Sequence, residues 1–240
     1  MTLSAAAGET LLAFADDEHL MGQQHTEWIG VAPFLEEDLA FSSIAQDELG
    51  HAASLYSLLG DPDALAYRPP VEYRSCHLVE LPAPDWADAL VRHWLYDLAE
   101  PRRWAALQGS SVVEVAALVA RAEREETYHR RHAGALLTRM RDSSSADRIG
   151  AALDALLPFA DALWEPVAGE ADAVAEGVVT ASSAELRTAW RSDVEAVVGP
   201  VAWDTFTSPD QQARSRRSDH FAALHARISE VIALDPTATW

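Results

Sequence analysis

Asp47-Glu48-Leu49-Gly50-His51 and Glu125-Glu126-Thr127-Tyr128-His129 share one pattern: an acid, then Glu, then His three positions on. On a helix, positions i and i+3 share a face, so each stretch directs a carboxylate and an imidazole at one point. An acid lies 30 positions before Glu48, at Glu18, and another lies 29 positions before Glu126, at Asp97. When two antiparallel helices join through a short turn, residues equidistant from the turn sit at one level. The midpoint of Glu18 and Glu48 is Pro33, and that of Asp97 and Glu126 falls between Ser111 and Val112, beside Gly109-Ser110-Ser111. Breaking and capping residues at both midpoints predict two helical hairpins, each with its upstream acid opposite the Glu of its pair.

The paired motifs alone decide little. With 19 Glu and 9 His in the chain, chance supplies roughly 0.7 Glu-x-x-His matches. The upstream acids and the centred turns turn them into a ligand set: Glu18, Glu48, His51, Asp97, Glu126 and His129. Carboxylates with one imidazole per metal suit two iron ions, with manganese as the alternative. The layout is that of carboxylate-bridged bundles, an acid from each of two helices and a Glu-x-x-His from each of the other two. On that pattern Glu48 and Glu126 bridge, Glu18 and Asp97 bind terminally, and His51 and His129 give one nitrogen each. Glu100 competes with Asp97, being one turn away on the same face, but the hairpin arithmetic favours Asp97. Asp47 and Glu125 read as solvated surface charge ahead of groups that orient imidazoles. His132 reads as a partly exposed residue, not a ligand.

Composition narrows the rest. A chain of 240 residues with 49% hydrophobic content can bury a full core, and no shift in composition marks a boundary, so one helical domain over 1–240 is expected. The net charge of −20 excludes nucleic acid and anionic membranes as partners. All 18 basic side chains are Arg, which removes Lys as a Schiff base or amine nucleophile. Cys76 is the single cysteine, so there is no intramolecular disulfide and no thiolate cage. A reducing cytoplasm is the expected location. Met1 to Ala15 lacks a basic n-region, and its apolar runs are too short to span a bilayer.

Ala- and Leu-rich stretches between few breakers predict helices throughout. The first hairpin is expected over about 4–59, with helices from Ser4 to Trp28 and Phe34 to Leu59. A proline-rich, non-helical crossover fills 60–84. The second hairpin is expected over about 85–141, kinked at Pro101 just after Glu100 and reopened at Ser111 by a capping box with Glu114. C-terminal helices follow within 146–234: Ala146–Trp164, Ser182–Val198 and Ser208–Leu234. The tryptophans, including Trp28, Trp86, Trp94, Trp104, Trp190 and Trp203, read as core anchors. Arg214, Arg216 and Arg217 read as a contact between subunits. The fold class expected from these elements is all-α, a four-helix bundle with additional C-terminal helices.

Thr26-Glu27-Trp28-Ile29-Gly30, Ala32-Pro33, Glu36-x-Asp38-Leu39-Ala40, Asp47 and Leu49-Gly50, followed by Asp97, Tyr128-His129, Leu186-Arg187-x-Ala189-Trp190 and a closing Trp240, resemble the phenylacetyl-CoA epoxidase A/C subunit family. The resemblance runs along nearly the whole chain, and its length and first hairpin are closer to the C-type member. It implies a ferritin-like fold within a multicomponent bacterial monooxygenase of phenylacetate catabolism. There an A-type subunit activates dioxygen at a di-iron centre, epoxidises an aromatic acyl-CoA and takes electrons from a reductase. Familiar C-type subunits are structural partners that have lost most ligand positions, whereas Glu18, Glu48, His51, Asp97, Glu126 and His129 match the metal pattern here. Three readings follow: a C-type subunit with an intact dinuclear site, a non-catalytic partner of the A-type subunit, or a stand-alone ferritin-like oxidase or peroxidase. The expected partners are the A-type subunit, a reductase and the acyl-CoA, with a homodimer as the other assembly. His220 keeps a family position, but its surroundings are Arg-rich where the family has Gly and Thr.

Overall fold

The computed structural model describes residues 3–235. Among them the regular structure is helical and no strand occurs, in keeping with the all-α expectation. Helix α1 (Ala5–Thr26) opens at Ser4, whose Oγ accepts from the Ala7 amide at 3.1 Å, satisfying one of the orphan donors of a helix start. It turns back through residues 27–34 into α2 (Leu35–Tyr56), with Pro33 inside the turn as the midpoint predicts. The two helices lie close because Gly22 has no side chain. A Cβ there would stand 2.9 Å from Leu49 Cγ and 3.1 Å from Glu48 Cβ. That close approach falls at the level of the first Glu-x-x-His.

The crossover is partly helical, which corrects the extended reading. It contains α3 (Pro62–Ala66), a 3₁₀ turn at Pro70–Glu72 and α4 (His77–Glu80). Asp61 caps the first by accepting from the Asp63 and Ala64 amides, and prolines at the starts of helical turns begin them without sacrificing a needed donor. The second hairpin comprises α5 (Trp86–Asp97), α6 (Glu100–Gln108) and α7 (Val113–Arg141). The break falls at Leu98-Ala99, ahead of the kink predicted after Glu100. Proline's ring clashes with the carbonyl four residues back, and for Pro101 that residue is Asp97, where α5 ends. The Ser111–Glu114 capping box does not form. Val112 precedes α7 without a side-chain cap, and the Ser111 amide donates to the Gly177 carbonyl at 2.8 Å.

Beyond the bundle lie α8 (Ala146–Asp161), α9 (Glu170–Ala175), α10 (Ser183–Val198), α11 (Phe221–Ile228) and α12 (Glu230–Leu234). Ser182 and Glu185 form a reciprocal capping box at α10. The long helix predicted over Ser208–Leu234 is absent up to residue 220. Gln212, Ala213 and Arg214 have φ of 46°, 54° and 59°, a left-handed run that no α-helix tolerates. Tertiary bonding holds it there: buried Arg214 donates to Asp17 Oδ2 at 2.7 Å and to the Glu165 carbonyl at 3.3 Å. Arg217 pairs with Glu80. The basic run is therefore largely internal, not a contact between subunits. Trp240 lies outside the described residues.

Two apolar clusters fill the interior. One contains Leu11, Phe14, Leu55, Trp104, Val115 and Val119; the other contains Leu20, Met21, Trp94, Leu95, Leu137 and Trp190. On α1 the change from one cluster to the other occurs across Asp16-Asp17-Glu18-His19, and on α7 across Glu126 and His129, all of them buried. A polar layer thus crosses the bundle between two dry ones. Among the described residues no helix is long and apolar enough to cross a membrane.

Candidate metal centre

The polar layer brings Glu18 (α1), Glu48 and His51 (α2), Glu100 (α6), and Glu126 and His129 (α7) together. One ligand atom from each of Glu18, Glu48, His51 and Glu100 lies within 4.8 Å of the others, and the same holds for Glu100, Glu126 and His129. All six residues are buried. Glu126 Oε1 stands 3.5 Å from Nδ1 of both His51 and His129, midway between the two imidazoles. Glu18 Oε2 is 3.1 Å from His51 Nδ1, and its Oε1 accepts from the Tyr96 hydroxyl at 2.8 Å.

Asp97 is placed differently. It is buried 3.1 Å from His93 Nδ1, and it belongs to neither group of converging atoms, whereas Glu100 belongs to both. The hairpin arithmetic assumes a straight helix rising 1.5 Å per residue. The break at Leu98-Ala99 re-aims the chain and brings the next acid to the level of Glu126.

The acids preceding each paired Glu reach across the bundle. Glu125 Oε2 meets His51 Nε2 at 2.8 Å, and Asp47 Oδ2 meets His129 Nε2 at 3.2 Å. Each hairpin thus orients the other's imidazole, turning its Nδ1 inward. Solvated surface charge, the reading favoured from sequence, is corrected on this point. The acid-Glu-x-x-His spacing on two facing helices is the signal that could have revealed it. Glu125 is itself held by Arg121 at 3.0 Å. Carboxylates behind ligating imidazoles are commonly worth 10–100-fold in metal affinity. Glu125→Ala is therefore expected to weaken metal binding by about that factor, read by competition with a chelator, with little change in the fold. His132 is partly buried, bonded to Glu37 at 2.8 Å and to His93 at 3.4 Å, away from the ligand groups as expected.

The donor set fits metal. Both carboxylate oxygens of Glu48, Asp97, Glu100 and Glu126 are buried without a hydrogen-bond partner, a condition costing about 1–3 kcal/mol or more for each uncompensated group. Burial, and then the charges of Glu18 and Glu126, push the Glu48 carboxyl well above its ordinary range. Burial followed by Glu126 does the same at Glu100. Glu18 is the exception: burial works to raise it, but His51 pulls it down to about 2. Against burial, the Glu18 carboxylate lifts His51 to about 8, and Asp47 and Glu126 lift His129 to about 10. Four carboxylates with two neutral imidazoles carry four negative charges, which two divalent cations neutralise.

A bundle that is helical throughout its described residues, with a buried carboxylate–histidine layer of this composition, is a ferritin-like fold whose residues fit a metal site. The chain belongs to the phenylacetic acid catabolic protein family, whose profile matches residues 2–240. It is similar to the C subunit of 1,2-phenylacetyl-CoA epoxidase from Escherichia coli (strain K12), at 28% identity over 95% of this chain and 97% of that protein.

Proposed function

We propose that this chain is a C-type subunit of a multicomponent ring-1,2-phenylacetyl-CoA epoxidase that holds a dinuclear iron site of its own. The observation that carries the reading is the set of orphaned carboxylate oxygens on Glu48, Glu100 and Glu126, an arrangement that a purely structural partner has no reason to keep buried. Glu18, Glu48, His51, Glu126 and His129 would hold the metals, with Glu100 on α6 in the place that residue spacing assigns to Asp97. Bound there, an iron pair supplies redox chemistry toward dioxygen. The chain's own groups set its surroundings: Glu125 and Asp47 fix the imidazoles, Tyr96 and Arg103 steady Glu18, and the two apolar clusters exclude water. The A-type subunit, a reductase and an aromatic acyl-CoA are the partners of this assembly, and the cytoplasm is its location. The scaffold reading is supported by the similarity to a C-type protein and by the absence of Lys to meet a CoA phosphate.

The test is turnover of phenylacetyl-CoA by the reconstituted assembly with wild-type chain or with Glu48→Ala/His51→Ala. A loss of at least tenfold with the complex still assembled is the expected result. Unchanged turnover would leave this chain a scaffold. Peroxide consumption by the chain alone, with no heteromer formed, would favour the stand-alone oxidase.

A further inference from the structure

The tip of the first hairpin carries an apolar surface that the metal centre does not use. Ile29, Val31, Phe34, Leu35 and Leu39 are 45–70% exposed, all within residues 29–39. Leu35 and Leu39 are one turn apart on α2 and so share its outer face, next to Phe34. At such exposures five large side chains leave several hundred Å² uncovered, on the order of the largest apolar patch an ordinary soluble monomer carries.

The surface is held out and not left to collapse. The Gly30 and Ala32 amides donate to Asp38 Oδ1 at 3.0 and 3.1 Å, and the Val31 and Ala32 amides donate to the Trp28 carbonyl at 3.2 and 3.0 Å. Gly30, at φ 83°, takes the left-handed position such a turn needs. Trp28 packs edge-on against Trp86 at 5.1 Å, and Trp86 lies 4.9 Å from Phe41. A face ordered in advance loses little entropy on docking.

Charge decides what covers it. Residues 1–67 contain no Arg or Lys and twelve acids, and Glu27, Glu36, Glu37 and Asp38 all fall beside the patch in sequence. Glu27 and Glu37 meet Arg227 and Arg139 within the chain, while Glu36 stands exposed next to Leu35. Two copies meeting through this face would set like charges against each other, which disfavours pairing. A partner with basic groups around an apolar groove matches it in both respects.

We infer that Ile29, Val31, Phe34, Leu35 and Leu39 form the face on which this chain docks a separate subunit presenting an apolar groove rimmed by Arg or Lys. Resting on the proposed function, that subunit is the A-type partner. The experiment co-expresses the two chains and measures their affinity with wild type and with Leu35→Asp/Leu39→Asp. Exposed positions tolerate such changes, so the variant keeps its helical circular dichroism and melting temperature. It loses affinity by about 100-fold or more, the size expected where central apolar anchors are removed. Glu36→Arg slows association and flattens its salt dependence. Val71→Asp, at an equally exposed apolar site on the crossover, changes neither. If the double variant binds like wild type, the docking face is wrong while the functional reading stands. If wild type does not bind the A-type subunit, both fall. A wild-type homodimer that the double substitution dissociates makes a second copy the occupant and overturns the inference.

Discussion

Glu48→Gln is expected to raise the melting temperature of the metal-free protein while abolishing its metal uptake. Glu48 is buried with neither oxygen hydrogen-bonded, and burial and the neighbouring charges of Glu18, Glu126 and Asp97 disfavour its ionised form. Glutamine keeps the shape and removes the charge. Glutamine removes the cost of keeping Glu48 protonated above its ordinary range, and replacing buried ionic groups by neutral ones of similar volume is often stabilising by about 1–4 kcal/mol, or roughly 2–4 °C per kcal/mol at this chain length. The same change removes a carboxylate on which a metal depends. Stability gained where function is lost marks a site kept against the fold's preference. Differential scanning calorimetry of chelator-treated proteins checks the first half and metal analysis the second. A lower melting temperature with metal retained would make Glu48 an ordinary structural residue.

Metal removal should reverse the pH dependence of stability. In the metal-free protein, Glu48, Glu100 and Glu126 hold protons above the ordinary carboxylate value of 4.5. The unfolded chain releases those protons, so their contribution is lost as pH rises above that value. His51 and His129 act in the same sense, their contributions fading between 6.5 and about 8 and between 6.5 and about 10. Glu18 runs the other way, losing its contribution as pH falls from 4.5 toward about 2. The metal-site groups thus make the metal-free protein lose stability as pH rises above 4.5, while His19 and His25, which burial lowers (His19 to about 4), oppose them by losing their contribution as pH falls below 6.5. Metal requires deprotonated carboxylates and neutral imidazoles, so its binding strengthens with pH. It stabilises by about 4 kcal/mol at a thousandfold excess over Kd. Melting temperatures of metal-free and iron-loaded protein should therefore diverge from about pH 5 to pH 8. Parallel curves would mean that these groups do not bind metal.

The two hairpins were legible because local signals agreed: a repeated i, i+3 pair, an acid about thirty residues upstream and a turn residue at each midpoint. Other features were not, for physical reasons. Glu100, and not Asp97, converges with the other glutamates because the helix breaks at Leu98-Ala99, ahead of Pro101, which a count of residues cannot supply. Asp47 and Glu125 looked like surface charge because the imidazoles they hold belong to the other hairpin. The segment before α11 has helical propensity, yet Arg214 is committed to Asp17 at the far end of the chain, and that contact imposes the left-handed run. Propensity yields to such tertiary bonding.

Metal content decides whether the dinuclear centre exists. Chain purified from iron-supplemented cells, or reconstituted from metal-free protein with Fe(II) without oxygen, should carry close to two iron ions per chain by inductively coupled plasma analysis. Manganese at the same stoichiometry would keep the site and change only the metal. Well under one iron or manganese per chain would contradict the dinuclear centre and leave the buried glutamates without the cations proposed to neutralise them.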